Sequence, residues 1–356
     1  MSPLPWRCAV AKIDLLLKMM IQHKASDLHV CAGDPPVLRI DGQLQRTKYH
    51  DLTPKEAEVL LLEMLDEANL ELLKEKKDID FAYELEGTAR FRANVFIERK
   101  GYGGAFRLIP TEIKTLRELR LPESVQILAR LKSGIVLVTG PTGSGKSTTL
   151  AAVIDLINKE KSYHIITLED PIEFIHPRGK CLIHQRQMGF HAESFSSGLR
   201  AALREDPDVI LVGEMRDLET IHLALTAAET GLLVLGTLHT SSAAKTVDRI
   251  IDVFPTTQQP QIRTMLSESL RGVIAQQLLR RSKGHGRIAA VEIMISSQAI
   301  QNLIREGKTY QIFSVLQTGK SAGMQTMGDH IKSLVQKNLV TQEEANLYLN
   351  DTEQGL

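Results

Sequence analysis

Hydrophobic and polar positions change rhythm partway along this chain. Residues 13–24 (Ile-Asp-Leu-Leu-Leu-Lys-Met-Met-Ile-Gln-His-Lys) place their apolar side chains on one stripe, which predicts an amphipathic helix. Short alternating runs follow. Val37–Ile40 and Leu44–Arg46 flank Asp41-Gly42, a hairpin signal. Thr53 with Glu56 forms a capping box for a helix through Leu65. Asp80–Leu85 and Ala89–Phe96 read as strands around a Glu86-Gly87 turn, with Gly104–Ile109 as a third. Residues 13–110 therefore predict a small α+β domain after an N-terminal extension, 1–12, read as a disordered tail. Pro110 opens a polar linker, 111–121, before a second domain over 122–356.

From Ile135 the rhythm becomes near-continuous apolar runs alternating with helical patterns. Ile135–Thr139, His164–Leu168, Asp208–Val212 and Leu232–Leu238 read as strands buried on both faces. Helices are expected around Leu150–Asn158, Ser194–Arg204 and Leu218–Glu229. The predicted fold class is α/β, a parallel sheet with helices on both faces and its ligand at the carboxyl ends of the strands. The tail from about Pro260 reads as mostly helical, with Ile288–Ile295 as one strand. No internal repeat or low-complexity tract interrupts this pattern.

Composition narrows the function classes. Hydrophobic content of 43% supports real cores, and 43 basic residues balance 43 acidic ones. That balance gives no general attraction to nucleic acid or anionic lipid, and 4% aromatic residues make a poor base-stacking surface. No apolar run approaches the roughly 18 residues of a membrane span, and the N-terminus lacks a signal-peptide core. Cys8, Cys31 and Cys181 are far apart and odd in number, without zinc spacing, which predicts reduced thiols in a cytosolic setting.

Candidate chemistry begins at Gly140-Pro141-Thr142-Gly143-Ser144-Gly145-Lys146-Ser147, which fits the phosphate-binding loop G-x-x-x-x-G-K-[ST] between a predicted strand and helix. The glycines let backbone N–H groups face an anion, and the helix adds its positive end. Lys146 can reach the β- and γ-phosphates of ATP, and the Ser147 hydroxyl can hold Mg²⁺, with Thr148 next in line. Glu214 follows the strand Asp208–Val212, where a carboxylate can orient or deprotonate the attacking water or support Mg²⁺ through water. Many P-loop enzymes carry Asp before that Glu; here the residue is Gly213. Glu169-Asp170-Pro171 ends another strand, so Glu169 can reach the metal-water shell, while Asp170 can equally cap a turn. His239 ends a third strand, where a polar group can sense the γ-phosphate. Arg90 and Arg92 alternate on one strand face, Arg107 lies on a later strand, and Arg200 and Arg204 are four apart on a helix face. These arginines fit either a solvated surface or charge compensation in phosphoryl transfer, where one arginine can be worth roughly 10³–10⁵ in rate.

From about Ala25 to Thr341 the chain resembles the type II/IV secretion ATPases, and within them the PilT-type retraction motors of type IV pili. The resemblance rests on Ala-Ser-Asp-Leu-His (25–29), Ala-Arg-Phe-Arg-Ala-Asn (89–94), the phosphate loop, Ile-Thr-Leu-Glu-Asp-Pro-Ile-Glu-Phe (166–174, the family's Asp box), Leu203–Asp217 (its Walker B region) and Gly236–Thr240 (its His box). It implies a PAS-like domain followed by a RecA-like ATPase domain with a helical C-terminal region, assembled as a homohexamer. It also implies ATP hydrolysis with Mg²⁺ held by Ser147, Glu169 and Glu214, and Glu214 as the catalytic glutamate. Lys146, Glu169 and His239 complete the implied site. Arg92 and Arg107 match the family's N-terminal-domain arginines that close on phosphate, and Arg200 and Arg204 match a further pair. The implied partners are an inner-membrane platform protein and a paralogous retraction ATPase, at the cytoplasmic face of the inner membrane, with membrane contact only through the partner. An accessory, PilU-type role is the main alternative; the four-cysteine insert of assembly enzymes is absent. A nucleic-acid translocase is disfavoured by charge and composition, and a switch without turnover by the set Glu214, Glu169 and His239. One departure stands at 299–306, Ala-Ile-Gln-Asn-Leu-Ile-Arg-Glu, where retraction motors carry Arg at the position of Gln301.

Overall fold

The computed structural model describes residues 12–40, 42–85, 88–109, 112–283 and 286–353, with side chains to 349. The predicted turn residues Asp41, Glu86 and Gly87, the linker start at Pro110, Cys8 and nearly all of the 1–12 extension lie outside them. The chain divides into two compact units, Met1–Glu112 and Ile113–Leu356.

The smaller unit contains α1 (Lys12–Gln22), β1 (Asp27–Cys31), β2 (Val37–Ile40), β3 (Gln43–Arg46), α2 (Pro54–Leu62), α3 (Glu67–Lys76), β4 (Asp78–Leu85), β5 (Ala89–Glu98) and β6 (Gly101–Ile109). Its strands form one antiparallel sheet in the order β3-β2-β1-β6-β5-β4. Leu28, Val30, Leu38, Phe81, Phe91, Val95 and Phe106 bury one sheet face against Ile13, Leu17 and Met20 of α1, Leu61 of α2 and Leu73 of α3. Each such side chain contributes about 1.5–3 kcal/mol by leaving water. The capping box is present: Thr53 Oγ1 accepts from Glu56 N, and Glu56 Oε2 accepts from Thr53 N at 2.8 Å. The helix stops at Leu62 rather than Leu65. The Glu63 carboxylate turns back to accept from Ile13 N at 3.0 Å, and Asp66 caps the separate helix α3.

The larger unit contains α4 (Glu123–Ala129), β7 (Gly134–Thr139), α5 (Lys146–Glu160), β8 (His164–Glu169), β9 (Leu182–Gln187), α6 (Phe195–Ala202), β10 (Val209–Val212), α7 (Leu218–Glu229), β11 (Leu233–Leu238), α8 (Ala243–Asp252) and α9 (Gln259–Ser269). It closes with β12 (Leu270–Arg280), β13 (Arg287–Ile295), α10 (Gln298–Arg305), α11 (Ile312–Thr318), α12 (Met327–Gln336) and α13 (Gln342–Glu353). The sheet order is β13-β12-β7-β11-β10-β8-β9. Along β7, Ile135 and Leu137 face the layer that holds α6 to α11, while Val136 and Val138 face α4 and α5. Helices therefore cover both faces, as the apolar runs predict.

Two expectations need correction. The sheet is mixed rather than parallel, because β13 returns antiparallel to β12. The tail from Pro260 is mostly helical but carries two strands rather than one: β12, eleven residues long, precedes β13 and pairs with β7. Among the described residues no helix is long and apolar enough to cross a membrane, and Cys31 and Cys181 are free thiols.

Candidate active site

The parallel strands β7, β8, β10 and β11 run side by side, so their carboxyl ends share one edge of the sheet. That edge collects the loop after Thr139, Glu169 at the end of β8, Gly213-Glu214 just past β10, and His239 just past β11. Backbone bonds knit the ends together: Gly213 N donates to Leu168 O at 2.7 Å and Met215 N to Thr237 O at 3.1 Å.

The loop Gly140–Ser147 turns tightly into α5. Gly140, Gly143 and Gly145 all take positive φ (142°, 76° and 87°), a region that side chains rarely adopt. Lys146 opens α5 and folds back, its Nζ donating to Gly140 O at 2.8 Å and Pro141 O at 3.0 Å. Burial pushes the Lys146 ammonium below its usual range, and the Glu214 and Glu173 carboxylates pull it partly back up. Thr139 Oγ1 and Ser144 Oγ are buried without a partner. Unpartnered hydroxyls and inward-turned backbone at a helix start fit a bound phosphate chain.

Ser147, Glu169 and Glu214 line one cavity of about 80 Å³, with Glu173, His176 and Thr237 among its other walls. A water needs only about 10–15 Å³ measured this way, so several fit. Glu169 accepts from Thr167 Oγ1 at 2.6 Å and from Gln185 Nε2 at 3.1 Å. Burial pushes its carboxyl up, against those hydrogen bonds. Glu214 receives His239 Nε2 at 2.9 Å and a hydrogen bond from Arg216 Nε. At Gly213 an added Cβ would meet Leu168 O at 2.9 Å, so the neighbouring strand β8 leaves no room for the Asp common in P-loop enzymes. A second cavity, about 150 Å³, lies beside Gly145 and Thr148 and is walled by Leu119, Leu278, Arg287 and Ile288.

Among the described residues no group of three or more His, Cys, Asp or Glu side chains is arranged to hold a metal by itself. The cavity offers oxygen donors from Ser147, Glu169 and Glu214, the donor type for Mg²⁺, which takes only one or two protein ligands beside phosphate and water.

Two of the predicted arginines, Arg200 and Arg204, belong to the larger unit. Arg200 ends in an ion pair with Glu219. Arg204 lies beyond the end of α6 at Ala202 and is exposed, so the two do not share a helix face as the spacing predicts. Arg92 and Arg107, in the smaller unit, stand opposite each other on β5 and β6. Arg107 Nε bonds Asp27 Oδ1 at 2.8 Å, and Arg92 Nη2 reaches Asp80 Oδ2 at 3.4 Å. Gln301 lies on α10, its amide 3.5 Å from Ser296 Oγ.

Sequence reasoning missed three residues at this edge. Arg216 holds Glu214, only two positions along. Gln185 on β9 holds Glu169, the Phe174 carbonyl at 2.8 Å and the His176 N–H at 3.0 Å, tying down the segment after β8. Gln276 on β12 braces the phosphate loop. The one available signal was polarity in a strand: Gln276-Gln277 interrupts the apolar run from Val273 to Leu279.

A glycine-lined loop between a central parallel strand and a helix, with carboxylates on neighbouring strand ends, defines a P-loop nucleotide-binding α/β protein. Comparison with known proteins makes this specific. The type II/IV secretion system protein family matches residues 8–347, and the chain belongs to that family. It is 52% identical over 330 residues to the type IV pilus retraction ATPase PilT of Pseudomonas aeruginosa, covering 93% of this chain and 96% of that protein. It is 48% identical over 350 residues to a twitching motility protein of Neisseria gonorrhoeae, covering 98% and 93%. A crystal structure of the pilus retraction motor PilT with bound ADP superposes with a TM-score of 0.87 at 47% identity, over 95% of this chain and 96% of that one.

Proposed function

We propose that this chain is an ATP hydrolase whose turnover drives retraction of type IV pili and, with it, twitching motility. The observation that carries the reading is the convergence of Ser147, Glu169 and Glu214 on one cavity at the mouth of the phosphate loop, in a chain related over almost its whole length to a retraction ATPase.

ATP binds with its phosphates in the loop Gly140–Thr148. Lys146 leaves the Gly140 and Pro141 carbonyls for the β- and γ-phosphates, and the nucleoside takes the second cavity beside Thr148. Ser147, Glu169 and Glu214 would hold Mg²⁺, which would neutralise phosphate charge. Glu214 accepts a hydrogen bond from water and aims it in line at the γ-phosphorus. The new P–O bond forms as the bond to the bridging oxygen breaks, releasing ADP and phosphate. His239 and Arg216, which already hold Glu214, set its orientation. Arg92, Arg107, Arg200 and Arg204 are read as positive charge for this reaction through the family resemblance.

In the same reading the working form is a homohexamer at the cytoplasmic face of the inner membrane. It acts on an inner-membrane platform protein, with a paralogous retraction ATPase as a further partner. Deleting the gene tests the output: accumulation of pili with loss of surface motility supports retraction, whereas loss of pili contradicts it.

A further inference from the structure

Gln276 sits on β12, directly beyond the register pair Ala275 and Thr139, and therefore under the first residue of the phosphate loop. It is 2% exposed, an unusual position for a glutamine in the middle of an apolar strand. Both ends of its amide are used. Nε2 donates to Ser144 O at 2.6 Å, inside the loop, and Oε1 accepts from Thr149 Oγ1 at 2.8 Å, on the first turn of α5. Backbone and side chain both press on the loop: an added Cβ at Gly140 would lie 2.2 Å from Gln276 O, and one at Gly145 would lie 2.9 Å from Gln276 Nε2.

We infer that Gln276 is a positioning residue that presets the phosphate loop for its anion without touching it. The inference rests on the nucleotide-binding reading above. A trans peptide directs its C=O and the next N–H to opposite sides. Fixing the Ser144 carbonyl toward Gln276 therefore aims the Gly145 N–H away from it, to the side where an anion is received. The same amide holds the start of α5 through Thr149, so loop and helix keep one spacing. Without this brace the peptide is free to rotate, and phosphate binding has to restore its orientation.

The test compares Gln276→Leu with the parent chain, using Mg·ADP and Mg·tripolyphosphate in calorimetry and ATP in turnover. Gln277→Leu, the neighbour on the same strand, controls for general disturbance of β12. The inference predicts that Gln276→Leu weakens both probes in parallel, by about ten- to hundredfold. The KM for ATP rises with it, while kcat at saturation stays within about threefold of the parent, the pattern of lost uniform binding. Thr149→Val, which removes one end of the brace, gives the same parallel loss at about two- to tenfold and serves if Gln276→Leu does not fold. Unchanged affinity in either folded variant overturns the inference, as does a loss for ADP without one for tripolyphosphate. It is also overturned if Gln277→Leu gives an equal loss. A parent chain that binds neither probe overturns the nucleotide-binding reading, and this inference with it.

Discussion

The two sheets of this protein place their chemistry in different ways. The sheet of the smaller unit buries one face against three helices, and its other face carries Asp27, Asp80, Arg90, Arg92, Asn94 and Arg107. Asp27 lies there between Arg39 and Arg107, 3.5 and 2.8 Å away. Burial alone would raise the Asp27 carboxyl, but hydrogen bonds from Arg107 and Ser26 and the two guanidinium charges hold it below the usual range. The sheet of the larger unit is buried on both faces, and β7, β10 and β11 have no exposed residue. Along β8, β10 and β11 the charged groups fall at or just past the strand ends, as Glu169, Glu214 and His239, on the edge that also carries the phosphate loop. A half-covered sheet spreads charge over a surface; a fully covered one concentrates it at an edge.

Three substitutions test this contrast. Lys146→Ala, at the edge of the larger sheet, is expected to weaken ATP binding at least about a hundredfold and abolish turnover, because the charge-assisted contact to phosphate is lost. Calorimetry reads it, and unchanged affinity removes the phosphate-loop assignment. Asp27→Ala, on the face of the smaller sheet, is expected to act on stability, lowering it by about 1–3 kcal/mol, because two arginines lose a buried acceptor. Chemical denaturation measures it; a midpoint equal to the parent's shows that this face is not held by its ion pairs.

The third effect is smaller and depends on pH. His330 Nδ1 accepts from Val291 N at 2.9 Å, and burial holds its pKa down at about 4, as it does for His176. Both lie below the ordinary value of 6.5, so the unfolded chain binds more protons between pH 6.5 and 4. Stability from these two histidines is complete above 6.5 and is lost as pH falls toward 4, at up to about 1.4 kcal/mol per pH unit for each. Gln in place of His330 retains an acceptor but does not titrate. His330→Gln should therefore show a shallower fall in denaturation midpoint between pH 7 and 5, and an unchanged slope contradicts the assignment.

The same contrast explains what was legible in the sequence. Strands buried on both faces read as apolar runs, and motifs at their ends stand out against them, so β7, β10 and β11 and the residues after them were found. Strands whose polar side chains serve a neighbouring loop were missed. In β9, Leu182–Gln187, His, Gln and Arg dilute the apolar signal, yet Gln185 holds Glu169. In β12, Gln276-Gln277 breaks the run and α9 immediately precedes it, so the segment reads as part of a helical tail. β1, Asp27–Cys31, is short and alternates Asp, His and apolar residues, and was likewise passed over. Arg204 misled in the opposite direction: its spacing from Arg200 fits a helix that ends at Ala202, before the second arginine is reached.

In the proposed function the carboxylate beyond β10 readies water for attack on a phosphate chain held by the loop after β7. The most direct test of this step is ATP turnover with magnesium by the parent chain and by Glu214→Gln, alongside their nucleotide affinities. The variant should bind ATP within a few-fold of the parent and hydrolyse it about 10²–10⁴-fold more slowly. Turnover near the parent's rate in a variant that binds equally well contradicts this role for Glu214.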